Sequence, residues 1–424
     1  MLSLFGIAQN DINSPYSSFG LGNLSRRSNA VLSSMGGVGY AMQNPYYINF
    51  KNPAAFFDFD SLSFIADLAF TLNNQNMRTK AQSYNGTYAQ LDYIAIGLPV
   101  LPVWRTSAGI MPFSDVGYGI LDERNDIEHF GKVTYEYKGN GGLQLLYWGN
   151  AFKVLKKLTL GINLSYLFGT IHTTSFTQYD DKETPYTFNS MISNFRYVDG
   201  IQITGGLQYH TMIHEKHHIC LGTIFENAVK VWSRENFIAL NYMGQYSASS
   251  TSFDTVIYKV GKDAWRSSVK MPHIVGGGFT YEYKDKVLTA LDITWQNWKR
   301  FSMEKSIQTS KDSLKNNFIA AIGVQYTPNA LSSKYYNKIN FRAGARFSSG
   351  YIVIHNHPIS EFSVSVGLGL PIPSQFNIYH SSVNIMLEYS RLGTIKYDLI
   401  SHDYFKLTFN FIFQEKWYQR RKLD

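Results

Sequence analysis

Few residues in this chain have the types and spacing that chemistry needs. The run HEKHH, His214 to His218, gathers histidines and a glutamate, the donor types of a zinc site. It falls in a predicted turn, where consecutive histidines do not converge as i,i+4 ligands on a helix do, and it reads as a solvated turn. An enzyme working at the rim of a barrel would draw on loop groups, here His129, Asp180, His355, His357 and His402. Nothing in their spacing selects a nucleophile and its base. GGVGY, Gly36 to Tyr40, follows no predicted strand, so a dinucleotide loop fails its context. Walker, GxSxG and Cys-x-x-Cys motifs are absent, and the single Cys220 forms neither an internal disulfide nor a zinc site alone. These residues point away from an enzyme, a metal or a cofactor and toward an architecture.

Only 17% of the 424 residues are charged, where an average soluble domain has roughly 25%. Tyrosine, phenylalanine and glycine are abundant. No apolar run of about 18 residues could cross a membrane as a helix. Low charge, many tyrosines and glycines and no helical span fit a transmembrane β-barrel. The formal charge of +8 is spread along the chain without a nucleic-acid-binding signature, so nucleic acid is not an expected partner. Residues 1–9, MLSLFGIAQ, read as the end of a secretory signal, with Leu2 to Ile7 closing its apolar core.

Beyond Ser61 the chain is a series of segments with period-two alternation. Leu62, Phe64, Ala66, Leu68, Phe70 and Leu72 share one face, as do Phe405, Leu407, Phe409, Phe411 and Phe413 near the end. About fourteen strands are predicted. They start near Ser61, Thr87, Trp104, Leu143, Leu158, Phe195, His217, Ser268, Lys286, Lys315, Lys338, Glu361, His380 and Asp403. Their connections alternate. Polar loops at Asn73 to Gly86, Ser114 to Gly142 and Val231 to Ser267 interleave with tight links such as LPVLP, KVLKK and Lys284-Asp285. Outer-membrane barrels have this asymmetry, and an even strand count puts both termini on the short-turn, periplasmic side.

Arg342, Arg346, Asp292 and Glu388 lie opposite the apolar faces of their strands. Charge facing lipid costs about 2–4 kcal/mol near the midplane, so these residues are expected in the lumen. There they either pair to close it or mark an ion or ligand path. Tyr147, Trp148, Trp295, Trp298, Trp417 and Tyr418 fall near strand ends, as interfacial girdles do. In the third strand Pro112, with Gly109, Gly117 and Gly119 nearby, either bulges the wall or marks the top of an ordinary strand. Ahead of the first strand, NPYYINFKNPAAF, Asn44 to Phe56, is rich in aromatics yet broken by two Asn-Pro turn signals. An apolar segment that must turn twice suits the inside of a barrel, with Asn44, Asn49 and Asn52 able to serve its backbone.

The arm RRSNAVLSSMGGVGYAMQNPYYINFKNPAAF resembles the N-terminal hatch of the FadL-like (TodX-type) family of outer-membrane transporters for hydrophobic compounds. Its glycines Gly36, Gly37 and Gly39 precede Asn52, Pro53 and Ala54, as an alanine- and glycine-rich stretch precedes Asn-Pro-Ala in that family. SPYSSFGLGNL and the tail KWYQRRKLD look like the branch found in Bacteroidetes. The resemblance implies an all-β, fourteen-stranded antiparallel barrel in the outer membrane, a hatch or plug in its lumen and a kink in strand three at Gly109, Pro112 and Gly117. The divisions are then 1–9 signal remnant, 10–60 hatch arm, 61–413 barrel and 414–424 basic periplasmic tail. It also implies passive uptake of small hydrophobic compounds through the lumen and out of a side gap at strand three. Phe50, Phe56, Phe57, Phe59 and Met111 are candidates to line that path. Outer-membrane lipid, a hydrophobic ligand or detergent, and protein partners at the tail are the expected company. Relatives in Bacteroidetes serve type IX secretion, so a non-transporting subunit of a secretion or assembly complex stands beside the transporter, with a rim-active enzyme third.

Overall fold

The computed structural model describes residues 14–60, 63–127, 131–180, 187–214, 216–243, 253–303, 314–372 and 381–416. Fourteen antiparallel strands close into a barrel. They are β1 (Ser63–Arg78), β2 (Ser83–Leu101), β3 (Trp104–Ile127), β4 (Gly131–Leu155), β5 (Leu158–Tyr179) and β6 (Asn189–Ile213). Next come β7 (His217–Glu226, resumed at Lys230–Tyr242) and β8 (Phe253–Lys259, Trp265–Lys270 and Ile274–Tyr283). Then follow β9 (Val287–Gln296, with Ser302–Met303), β10 (Asn317–Tyr326), β11 (Asn340–Ser348), β12 (Glu361–Pro371), β13 (Ser382–Gly393) and β14 (Ser401–Lys416). Closure is made by β1 and β14, in register from Ser63↔Lys416 to Arg78↔Ser401.

The alternation that predicts the strands also sorts their faces. Along β1, Ile65, Asp67, Ala69, Thr71, Asn73 and Gln75 are buried inside, while Phe70 and Leu72 stand exposed outside. Ile94, Ile162, Leu221, Ile293, Ile322 and Val364 continue an exposed apolar band around the wall. So much exposed apolar surface is a liability in water and what hydrocarbon requires. Above the band the outer face turns polar, with Asn74 donating to Thr87 at 2.9 Å and Asn76 to Asn85 at 2.5 Å. Tight links join β2 to β3, β4 to β5 and β8 to β9. In the last, Lys284 and Asp285 take φ of 51° and 54°, the left-handed pair of a type I′ hairpin turn.

Three stretches predicted as loops are mostly strand. Ser114 to Gly142 forms the upper halves of β3 and β4, which pair as far as Ile127↔Gly131. Asn73 to Gly86 holds the ends of β1 and β2, and Val231 to Ser267 carries upper parts of β7 and β8. The reason is physical: these wall extensions stand beyond the apolar band, so their outward residues are polar and the stretch looks like loop. Two predicted girdle residues also lie inside. Tyr147 is on the inward face of β4, and Trp298 is buried beyond the end of β9, stacked on Tyr351 at 4.3 Å. Trp148 and Trp295 are exposed outside, and Trp417 and Tyr418 lie outside the described residues, as do 1–9, Ser61, Leu62 and His129. The last strand runs to Lys416, so Gln414 to Lys416 belong to β14 rather than to a tail.

The plugged lumen as candidate functional site

The arm, residues 14–60, crosses the lumen as short turns. It holds 3-10 turns at Pro15–Ser18 and Pro53–Asp58, a two-residue strand at Asn23–Leu24 and one helical turn at Ala30–Ser33. Each asparagine of the sequence pattern serves its backbone. Asn52 is extended (φ −129°, ψ 113°), as a residue before proline must be. Its Oδ1 accepts the Ala54 N–H at 3.0 Å and its Nδ2 donates to the Tyr40 carbonyl at 2.6 Å. Asn49 Nδ2 donates to the carbonyls of Gly39 at 2.7 Å and Met42 at 3.1 Å. Asn44 Oδ1 accepts the Tyr46 N–H at 2.8 Å, and Asn29 caps the helical turn through the Leu32 N–H at 2.8 Å. An arm buried in a lumen must satisfy its amides internally, and this one does so with backbone carbonyls, its own asparagines and wall side chains such as Asp292 and Ser365.

The wall is shaped to this backbone by glycine. A Cβ on Gly161 would fall 2.2 Å from the Pro53 carbonyl carbon, and one on Gly222 would fall 1.8 Å from the Tyr40 oxygen. On Gly344 it would lie 2.1 Å from the Met35 carbonyl carbon, and on Gly367 2.5 Å from Ser34 Cβ. These glycines sit on β5, β7, β11 and β12, so the arm is seated on opposite sides of the barrel. Gly36 and Gly37 in the arm have φ of 72° and 80°, a left-handed turn that glycine adopts without strain. Gly36 approaches the wall so closely that a Cβ would meet the Ala345 oxygen at 2.6 Å.

Charge completes the seat. Asp292 Oδ2 accepts from Lys51 at 2.9 Å and from the N–H groups of Gly39 at 2.8 Å and Tyr40 at 3.2 Å. Arg26 bridges Glu361 at 2.5 Å and Glu388 at 2.6 Å. Arg346 joins Glu361 at 2.7 Å and Lys406 approaches Glu388 at 3.7 Å. Arg27 pairs with Glu226 at 2.6 Å. Arg342 takes neutral partners, Gln325 at 2.7 Å and Asn384 at 2.8 Å. Three of the four predicted lumen charges therefore meet opposite charges, and Asp292 and Glu388 meet those of the arm. Arg26, Arg27, Lys51, Glu226 and Glu361 escape a sequence reading because their pairing is long-range. The one available signal was Arg26-Arg27, adjacent cations in an otherwise nearly uncharged arm.

At strand three the wall changes partner. β2 and β3 pair only from Ile94↔Ile110 to Leu101↔Trp104. Above this, β3 keeps its pairing with β4 through a register shift between Pro112 and Ser114. Its other edge takes the arm, with Asn23↔Asp115 and Leu24↔Ser114. Ser25 N–H donates to Phe113 O and Ser14 N–H to Gly117 O, both at 2.9 Å. At Gly109 a Cβ would lie 2.6 Å from the Ile94 oxygen and 2.8 Å from the Tyr147 ring.

Phe50, Phe56, Phe59 and Met111 are buried where the arm meets the wall. Phe50 packs on Tyr93 and Tyr147 at 5.1 and 6.0 Å, and Phe56 on Phe59 at 5.8 Å. Phe57 is half-buried, 5.1 Å from the Arg105 guanidinium and 5.5 Å from the Lys153 ammonium. A cavity of about 390 Å³ remains in the lumen, with Arg26, Arg27, Lys51, Asp92, Glu226 and Glu388 among its lining residues. Its ion pairs share the lining with apolar and aromatic groups, among them Phe50, Met111, Phe113, Leu145, Ile224 and Trp298, the kind of group that lines pockets for apolar ligands.

Among the described residues the histidines are not brought together. His214 is a turn residue with φ of 53° and His217 begins β7. The H-E-x-x-H spacing of His214, Glu215 and His218 thus lacks its helix, and Glu215 lies outside the described residues. No group of three metal-binding side chains exists among the described residues. His355 is in a hairpin turn at φ 49°, His357 stacks on Tyr397 at 3.6 Å, and His402 Nε2 meets Gln75 at 3.1 Å. Asp180 lies just past β5, its N–H on Lys132 O at 3.2 Å. His172, which the sequence reading passed over, sits 3.0 Å from Ser193 Oγ, but its other described contacts are Thr174 and Phe195, and no carboxylate orients it.

The fold is shared with known channels. The toluene transporter TodX of Pseudomonas putida matches with a TM-score of 0.61 at 13% identity, over 93% of this chain and 100% of that one. The toluene transporter TbuX of Ralstonia pickettii matches at 0.58 and 13% identity, over 93% and 100%. A FadL homologue of Pseudomonas aeruginosa matches at 0.57 and 11% identity, over 93% and 100%. The barrel therefore has a FadL-like fold, and TodX and TbuX, which share it, are toluene transporters. No curated protein matches the sequence. A family model described as BamG matches residues 1–424.

Proposed function

We propose, for a chain that belongs to the BamG family, that this FadL-like barrel is a plugged, non-transporting subunit of a larger outer-membrane secretion or assembly complex. The observation that carries this reading is the seat of the arm. Its middle section is keyed into wall glycines and held by the Lys51–Asp292 pair. Moving it would strip Asp292 of three donors, and breaking a buried pair costs about 3–5 kcal/mol. Such a barrel serves as a rigid membrane anchor whose rim and periplasmic side engage proteins. The short-turn end and both termini face the periplasm in this reading, where the basic, aromatic stretch 416–424 would meet a partner.

Purification in mild detergent tests it. A stoichiometric protein complex is expected, together with toluene uptake unchanged when the gene is deleted. A partner-free barrel with an apolar compound in its lumen would overturn it.

Uptake of small hydrophobic compounds is the second reading, favoured by the wall at strand three. There β3 leaves β2 and the arm occupies the seam. If the leading segment of the arm withdrew, a lateral exit would open between those strands. The hydrocarbon selectivity of the neighbours enters only through that step. Toluene-dependent exposure of Ser14 to Arg27 to protease would support it, and protection unchanged by toluene would count against it.

A further inference from the structure

Outside the barrel, β7 and β8 carry a basic cluster that no function above uses. Their paired upper segments set Lys270 opposite Lys230, Ser268 opposite Trp232 and Arg266 opposite Arg234. All four cations are exposed on the outer face, and Trp232 is 66% exposed between them. Like charges directly opposite one another on neighbouring strands destabilise a sheet. Elsewhere on the outer rim cations are answered by acids: Arg78 and Arg391 share Asp403, and Lys80 pairs with Asp398. Arg234, Arg266 and Lys270 have no ion pair with any described carboxylate; Arg234 leans on the Tyr197 ring at 5.2 Å. Asp199 faces Trp232 from β6 and Asp263 lies in the turn before Trp265, so cations remain in excess.

The height of the cluster identifies what could answer it. Below it the first segment of β7, His217–Glu226, spans 10 residues, and about 9–11 tilted residues cross a bilayer. Leu221, Phe225, Val275 and Phe279 are exposed on that lower face, and the cluster begins at Lys230, five residues beyond Phe225 toward the loop end. Trp232 is thus at the water interface, where tryptophan prefers to sit. Guanidinium groups at that height match phosphate in charge and fork geometry.

We propose that Arg234, Arg266 and Lys270, with Trp232 as an apolar anchor, bind the phosphate-bearing headgroup of an outer-leaflet lipid. The leaflet assignment rests on the reading that the loop end faces outward; the site does not depend on whether the lumen transports.

The experiment is native mass spectrometry of the folded barrel in detergent, titrated with diphosphoryl lipid A. Lipid A stripped of both phosphates and inorganic phosphate alone serve as comparisons. The combined variant Arg234→Gln, Arg266→Gln, Lys270→Gln should bind diphosphoryl lipid A about a hundredfold more weakly, at roughly fivefold per basic residue near an anionic surface. The variant Arg78→Gln, Arg391→Gln, whose cations are already paired, should bind as the parent does. Heat-dependent gel mobility reports folding separately. If the triple variant fails to fold, Trp232→Ala and the parent's preference for phosphorylated over stripped lipid A decide. Equal binding of both lipids, competition by inorganic phosphate at equal concentration, or loss of a bound protein instead of lipid in the triple variant would each overturn the proposal.

Discussion

The two parts of the arm are held in different ways. From Gly36 to Phe59 it is seated by shape: wall glycines leave room for its backbone and no other atoms, and its aromatic rings fill the space against Tyr93 and Tyr147. From Ser14 to Arg27 charge and an edge are added to packing: Tyr16 and Leu21 are buried, Arg26 and Arg27 form ion pairs, and a two-residue strand lies on β3. Shape complementarity of the first kind is lost only by moving many atoms together, since packed interiors deform in discrete steps. Ion pairs and edge hydrogen bonds of the second kind are exchanged one at a time with water. Two kinds of attachment therefore occupy one continuous segment, and the leading part is where the second reading places any motion.

Four substitutions would break or sharpen that distinction. Gly222→Val puts atoms into the Tyr40 backbone and should cost about 3 kcal/mol or more, read as a lower midpoint of heat-dependent gel mobility. Asp292→Ala leaves the partly exposed Lys51 without its carboxylate and the Gly39 and Tyr40 N–H groups without their acceptor, and a loss of about 1.5–3 kcal/mol is expected in the same assay. An unchanged midpoint in both would mean that the middle section is not a structural plug. Glu388→Ala removes one of the two carboxylates on Arg26, a charged hydrogen bond worth about 1.5–3 kcal/mol. Here the barrel midpoint should hold while hydrogen exchange at residues 14–27 accelerates. Global destabilisation instead would show the leading segment to be as integral as the middle. Ser25→Pro deletes the single N–H donated to Phe113 and should cost about 1 kcal/mol, visible only as faster exchange at Asn23 and Leu24.

Strand number, order and facing were legible because alternation is a local property of the chain, and a barrel makes it uniform. The arm's place inside was legible from its composition and its Asn-Pro turns. What stayed hidden depends on residues far apart in sequence. Gly161, Gly222 and Gly344 look like ordinary strand glycines until the arm's carbonyls are seen against them. Arg26 declares its role only once Glu361 and Glu388 are brought beside it. Tyr147 was misread because a tyrosine near a strand end looks the same from either face, and register alone decides. The tall upper halves of β3 and β4 were misread because polar outward residues without a lipid band resemble loop.

The seam between Ser63–Arg78 and Ser401–Lys416 carries a consequence for how the molecule comes to exist. The arm is synthesised first and the closing strand last. Glycine seats on strands from both halves of the wall hold the arm where the closed barrel surrounds it. An arm docked while the sheet is still open would be sealed there by the pairing of β14 with β1.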